Sequence, residues 1–212
     1  MKNSRFFFRL SDGKFKDQHG EANLKTFAIM LTTKILKTTE ELNRFITMQL
    51  ENGGAEVTLD YLLQAQVRVL CRKSNPDIWI GGYVISINQK RYLDVLPQDT
   101  RQAIEDKYLP PHKTAEISCI WKNRAPHQKP KGFEVAQLYW FALQDGILTG
   151  RPILLGGTAH EKIRRIQMIV FRHLAFSGEV NFYGTSHHVW IYYCTRLEVL
   201  PGFLNYIRMF LF

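Results

Sequence analysis

The chain has 212 residues, long enough for one well-buried core. Its apolar fraction of 45% and 14 Phe exclude a disordered polymer, and the lack of 18 uninterrupted apolar residues predicts no membrane span. A formal charge of +9, from 28 Lys and Arg against 19 Asp and Glu, favours an anionic partner: nucleic acid, an anionic lipid surface, or a phosphate-bearing ligand.

Residues 1–23 hold a short aromatic run and then polar turn residues, which reads as an N-terminal arm. Phe6 to Phe8 are too few for a signal-peptide core. Residues 24–212 are expected to form a single domain. Residues 24–50 read as helix, broken near Thr32–Thr33 or Thr38–Thr39. Thr38 or Thr39 is a capping residue, Glu40 or Glu41 lies near the first turn, and Gly53–Gly54 stops the helix. Leu42, Phe45, Ile46 and Leu50 share one face. LDYLLQAQ, residues 59–66, fits a helix end or a strand. QVRVLCRKS and IWIGGYVISI read as two strands of an antiparallel hairpin turned at SNPD. Gly81–Gly82 predicts a bulge or a close backbone approach. A short helical region follows and ends at Pro110–Pro111.

From Thr114 onward the chain alternates element types. TAEISCIW reads as a strand, KNRAPHQKPKG as a basic loop and FEVAQLYWFALQDGIL as a helix. RPILLGG then reads as a strand, HEKIRRIQMIVFRHLAF as a helix and HHVWIYY as a closing strand. Two strands joined through a helix imply a parallel pair with a right-handed crossover. The fold class is therefore α/β (α+β), a twisted mixed central sheet flanked by helices. The helix after the basic loop opens next to Arg124, His127, Gln128, Lys129, Lys131 and Gly132. Unpaired amides beside cations make a phosphate cradle, and Gly132 permits close approach. The alternative is a solvated basic loop.

Cys71, Cys119 and Cys194 form no CxxC unit and no zinc set, so no metal is expected. Their odd, scattered count fits buried thiols in a reducing, cytoplasmic compartment. The apolar C-terminus, VLPGFLNYIRMFLF, suits core packing, a homodimer contact or a membrane surface. Aromatics beside cations, in FFFR and WKNRAPHQK, also suit a nucleic-acid-binding surface.

The order of elements resembles the GCN5-related N-acetyltransferase superfamily, and distantly its acyl-homoserine-lactone synthase branch. The Glu116-Ile117-Ser118-Cys119 run resembles that branch's strand-four motif, with Cys119 where the branch carries arginine. GGYVISINQKRYLDVLP and FRHLAFSGEVNFYG resemble its third strand and its late helix and turn. The loop Gln128-Lys129-Pro130-Lys131-Gly132-Phe133 resembles the superfamily's cofactor loop, with the spacing shifted by one and the second small residue missing. The resemblance implies an acyl-CoA N-acyltransferase-like fold. It also implies acyl transfer from acetyl-CoA, a longer acyl-CoA or an acidic acyl carrier protein to an amine acceptor. Arg124, Gln128, Lys129, Lys131 and Gly132 would bind the cofactor. Glu116 would be the general base, Ser118 would orient water or substrate on the same face, and Tyr183 would protonate the leaving thiolate. A backbone amide between Ile117 and Ile120 would polarise the thioester carbonyl. A non-catalytic regulatory protein on a degenerate form of the same fold is the third expectation.

Overall fold

The computed structural model describes residues 31–182 and 185–211. The expected N-terminal arm and Tyr183 lie outside the described residues, as does the start of the helix expected at residues 24–50. The elements run β1 (Leu31–Ile35), α1 (Thr39–Glu51), α2 (Leu59–Leu63), β2 (Gln66–Arg72), β3 (Asn75–Ser86), α3 (Arg91–Asp94) and α4 (Gln98–Lys107). A short 3-10 turn at Pro111–Lys113 leads into β4 (Thr114–Lys122). Then come α5 (Gly132–Leu148), β5 (Ile153–Thr158), α6 (Glu161–Val170), β6 (His173–Phe182), β7 (Thr185–Thr195) and α7 (Arg196–Leu211).

The strands form one seven-stranded sheet in the order β1-β2-β3-β4-β5-β7-β6. All neighbouring pairs are antiparallel except β4 with β5. The parallel pair is the one joined through α5, as the strand-helix-strand order predicts.

Residues 31–35 are a strand rather than helix, so the helix begins only after Thr38. Thr38 does supply the cap: its Oγ1 accepts from the Glu41 amide at 3.2 Å, and the Glu41 carboxylate accepts from the Thr38 amide at 3.3 Å. Gly53, at φ +79°, follows the helix end in the left-handed region that glycine tolerates. Leu42 and Phe45 are buried on the predicted face, but Gln49 joins them while Leu50 is exposed. The helix expected over residues 160–176 is also shorter than the sequence pattern suggests. The helix stops at Val170, and His173–Phe182 form β6, an added strand paired with β7.

The core lies on both faces of the sheet. On one face α1 and α2 pack Leu42, Phe45 and Leu62 against Val67, Val84 and Trp121. On the other, α5 and α7 pack Leu138, Ala142, Phe203 and Tyr206 against Ile85, Ile117 and Leu154. Arg68 and Arg72, on one face of β2, fix the two ends of α5: Arg68 pairs with Asp145 at 2.7 Å and Arg72 with Glu134 at 2.9 Å. The C-terminus is helical. It buries Val199, Phe203 and Tyr206 in the core and leaves Leu197, Leu200 and Leu204 exposed. Cys71, Cys119 and Cys194 are all free and buried. Among the described residues no helix is long and apolar enough to cross a membrane.

Candidate active site

β4 is the strand around which the site is built. Its first half alternates: Ile117 enters the core under α5, while Glu116 and Ser118 face α2. The alternation then breaks. Gly82 of β3 pairs with Trp121 and Val84 with Ser118, so two steps along β3 match three along β4. The extra residue is a β-bulge, and Cys119 carries it with φ 52°, rare for a residue with a side chain. The bulge puts Ser118, Cys119 and Trp121 on the α1–α2 side and returns Ile120 to the other core. Gly81 and Gly82 answer to the predicted close approach. A Cβ on Gly81 would lie 2.9 Å from the Trp121 carbonyl oxygen, and one on Gly82 would lie 2.8 Å from the Phe45 ring.

On the other side of β4, the ladder to β5 holds only three pairs, Thr114–Ile153, Ala115–Leu154 and Glu116–Leu155. Beyond Glu116 the two strands have no recorded pairing, and just past that point the ring of Tyr92 lies against Gly157 of β5. A Cβ on Gly157 of β5 would meet that ring at 2.7 Å, so glycine is what lets Tyr92 lie on the strand.

Glu116 stands at this fork and is fully buried. One carboxylate oxygen accepts from the Tyr61 hydroxyl at 3.0 Å, and the other from the Tyr92 amide at 3.0 Å. The Tyr61 hydroxyl is also 2.7 Å from Ser118 Oγ. Burial raises the Glu116 pKa to about 7, against the opposing pull of these hydrogen bonds and of Arg91 and Lys90. The guanidinium of Arg91 donates to Cys119 Sγ at 3.4 Å and to the Glu56 carbonyl oxygen. Lys90 is 2% exposed, and its Nζ has no hydrogen-bond partner. Burial pushes its pKa down, and the charge of Glu116 works against that shift. Burial likewise pushes the Cys119 thiol up.

The structure thus brings Glu116 and Ser118 together through Tyr61. Tyr61, Lys90, Arg91 and Tyr92 belong to the same cluster and were not anticipated. The β4 partners of Tyr61, Arg91 and Tyr92 lie 24 to 57 residues away in sequence, on a strand whose pairing no local pattern reveals. The one local signal was Thr58, which caps α2 by accepting from the Tyr61 amide at 3.3 Å.

The basic loop after β4 is tied down at both ends. The Arg124 amide donates to Asn52 Oδ1 at 2.7 Å, and its guanidinium lies over Gly53. Gln128 accepts from Asn123 Nδ2 at 2.8 Å, and its own amide donates to the Ala125 carbonyl oxygen at 2.9 Å. Lys129 and Lys131 are exposed. Gly132 opens α5, and nothing lies within 4 Å of where its Cβ would stand. The helix opening already holds one anion: the Glu134 carboxylate accepts from the Lys131 amide at 2.8 Å while paired with Arg72. Trp121, read in sequence as a stacking platform for nucleic acid, is buried edge-on against Phe45 and offers no such surface.

On the face opposite Glu116, a cavity of about 20 Å³ lies between β4, α5 and α6, lined by Ile117, Ile120, Tyr139 and Gln167 among others. Gln167 donates to the Gly157 carbonyl oxygen at 3.0 Å, and its own side-chain oxygen is buried without a partner. A groove of about 420 Å³ lies between α6 and the β6–β7 hairpin, lined by Arg164, Trp190 and Tyr192 among others, and shares no lining residue with the Glu116 cluster. No group of His, Cys, Asp and Glu suited to a metal ion occurs among the described residues.

A mixed seven-stranded sheet that splays after a short parallel contact, with a helix opening behind a basic loop, is the fold of the GCN5-related N-acetyltransferases. The sequence itself matches no family model and no curated protein. Among solved structures, the chain is similar to FeeM, an N-acyl amino acid synthase from uncultured soil microbes. The TM-score is 0.59 at 16% identity, over 80% of this chain and 93% of that one. It is also similar to the spermidine/spermine N-acetyltransferase SpeG from Vibrio cholerae, with TM-score 0.51 at 16% identity, over 81% and 96% of the two chains. The putative acetyltransferase yncA from Salmonella typhimurium, solved with acetyl-CoA, follows at TM-score 0.50 and 11% identity, over 79% and 94%.

Proposed function

We propose that this chain transfers an acyl group from a pantetheine thioester, acetyl-CoA or a longer acyl-CoA or an acyl carrier protein, to an amine. The observation that carries the reading is Glu116: a fully buried carboxylate with a pKa of about 7, at the point where β4 leaves β5. A base is most useful when its pKa lies near the working pH. The thioester enters the fork between the two strands. The amine nitrogen attacks its carbonyl carbon, Glu116 takes the amine's proton, and the C–S bond breaks. The β4 backbone around the bulge at Cys119 supplies an amide to the carbonyl oxygen. Ser118 and Tyr61 hold Glu116 and the acceptor amine in line, and Tyr183 returns a proton to the thiolate. The cofactor's phosphates lie at the opening of α5, against the amides of its first turn and the side chains of Lys129, Lys131 and Arg124. Gln128 and Gly132 complete that cradle.

The single-domain organisation, the cytoplasmic setting and an assembly through the exposed leucines of α7 belong to the same proposal. Of the likenesses, FeeM is a synthase of N-acyl amino acids and SpeG an acetyltransferase for polyamines, so the acceptor is open at the level of the fold.

The test is release of free CoA from acetyl-CoA and hexanoyl-CoA with a panel of amines, alongside calorimetric binding of both thioesters. Changing Lys129 and Lys131 together to glutamate is expected to weaken acetyl-CoA binding about tenfold at low salt, and less as ionic strength rises, because exposed charges are screened. Unchanged affinity in that variant would remove the cradle from the proposal. A second reading, a non-catalytic protein on this scaffold, draws on Glu134, which already fills part of the helix opening. Absence of thioester binding by the unmodified chain would favour it.

A further inference from the structure

The Glu116 cluster contains a cation, Arg91, that makes no ion pair with its own residues. Arg91 extends from the start of α3 to the bulge of β4, and its guanidinium meets a thiol and a backbone carbonyl, both uncharged partners. Among the described residues, neither Arg91 nor Lys90 makes an ion pair. Arginine stays charged in any protein setting, and burying it without a counter-charge is costly. Glu116 is the carboxylate that acts on Arg91, while Lys90 also feels Asp94 and Glu105. Glu116 is no fixed counter-ion, because a base that accepts the acceptor's proton becomes neutral at that moment. From then on the guanidinium has lost the carboxylate charge that acts on it.

Two of the five N–H groups of Arg91 are used in the recorded bonds, and its side chain is only partly buried. The adjoining residue, Tyr92, binds the Glu116 carboxylate through its amide, so the cation and the base are held by neighbouring positions of one short helix. Cys119, which Arg91 reaches, is next to Ser118, which shares Tyr61 with Glu116. An acceptor whose amine reaches Glu116 therefore presents its next few atoms to Arg91.

We infer that the acceptor is an amino acid, its amine directed to Glu116 and its carboxylate bound by the guanidinium of Arg91. A planar guanidinium matches a carboxylate in a two-bond fork, the strongest arrangement for such a pair. A polyamine would bring a second cation toward Arg91, which disfavours it for the same reason that it favours a carboxylate.

This inference rests on the acyl-transfer reading for its amine, but its test separates the two. Leucine, leucine methyl ester, 3-methylbutylamine and spermidine are compared as acceptors with acetyl-CoA and hexanoyl-CoA. Leucine binding is measured calorimetrically without a donor. The quantity read is the ratio of kcat/KM for leucine to that for 3-methylbutylamine, in the unaltered chain and in Arg91→Gln and Arg91→Lys. The change in that ratio cancels the difference in basicity between the two amines. It is expected to fall at least about 30-fold in Arg91→Gln, through KM, and by less in Arg91→Lys, which keeps the charge and loses the fork. If Arg91→Gln does not fold, Arg91→Lys and the preference of the unaltered chain for leucine over its ester give the answer. A ratio that Arg91 does not move, or a preference for spermidine, overturns the inference and leaves acyl transfer standing. Leucine binding that depends on Arg91, without turnover, supports the site and removes the transfer reading. No leucine binding and no carboxylate preference removes the site.

Discussion

Glu116→Gln is expected to lower the rate of acyl transfer by about 10²–10⁴-fold, the contribution of a positioned general base. In the unaltered chain the rate should rise with pH through about 7, as burial-raised Glu116 loses its proton, and the variant should lack that limb. The same substitution should stabilise the fold in mildly alkaline solution. The ordinary carboxyl pKa is 4.5 and the folded value about 7, so between them the folded state keeps a proton that the unfolded chain has lost. The contribution of Glu116 to stability is thus complete below pH 4.5 and disappears as pH rises through 7. The glutamine amide carries no charge to desolvate. Its oxygen can accept from the Tyr92 amide, and its nitrogen can donate to Tyr61, whose hydroxyl turns toward Ser118. A gain of up to about 3 kcal/mol at pH 8, vanishing near pH 4, is the expectation. Rate profiles and melting curves at both pH values check it. Unchanged turnover in the variant would take the base role from Glu116, whatever the melting curves show.

Such a trade of stability for activity explains why the site was only half legible in the sequence. Glu116 and Ser118 were readable because they sit two apart on one strand, where period-2 geometry fixes a common face. The bulge at Cys119 was not, since a single inserted residue leaves no mark on an apolar run. Cys119 stands where the resembling branch carries arginine, and here a guanidinium arrives at its sulfur from Arg91 instead. No pattern in residues 87–97 announced that. The short helix α3 holds only Arg91–Asp94, too few residues for helical periodicity to mark a face. The capped helix α1, the hairpin and the strand-helix-strand order were legible from caps, alternation and crossover chirality. The strands at residues 31–35 and 173–182 were missed because each adjoins a helix of similar composition. What makes them strands is pairing with β2 and β7, which lies outside the local text.

The second large effect is expected at a glycine inside a helix. Gly202 follows Pro201 in α7, and both residues weaken a helix interior, glycine by about 1 kcal/mol relative to alanine. By propensity alone, Gly202→Ala should therefore stabilise the protein. Packing reverses the sign. A Cβ at this position would lie 2.6 Å from the carbonyl oxygen of Val170, 3.1 Å from its Cα and 3.2 Å from the carbonyl oxygen of Ile169. All three atoms belong to the backbone at the end of α6, so no side chain can turn aside to make room. α7 would have to move off α6, and Val199, Phe203 and Tyr206 would leave the core with it. A loss of about 2–4 kcal/mol is expected, with a fall in Tm of about 5–12 °C. Gly132→Ala is the control, because nothing stands within 4 Å of its Cβ position and the backbone there is not left-handed. Its stability should stay within about 0.5 kcal/mol of the unaltered chain or exceed it. If Gly202→Ala melts with the unaltered chain, the close contact between α6 and α7 is not what holds the C-terminal helix in place.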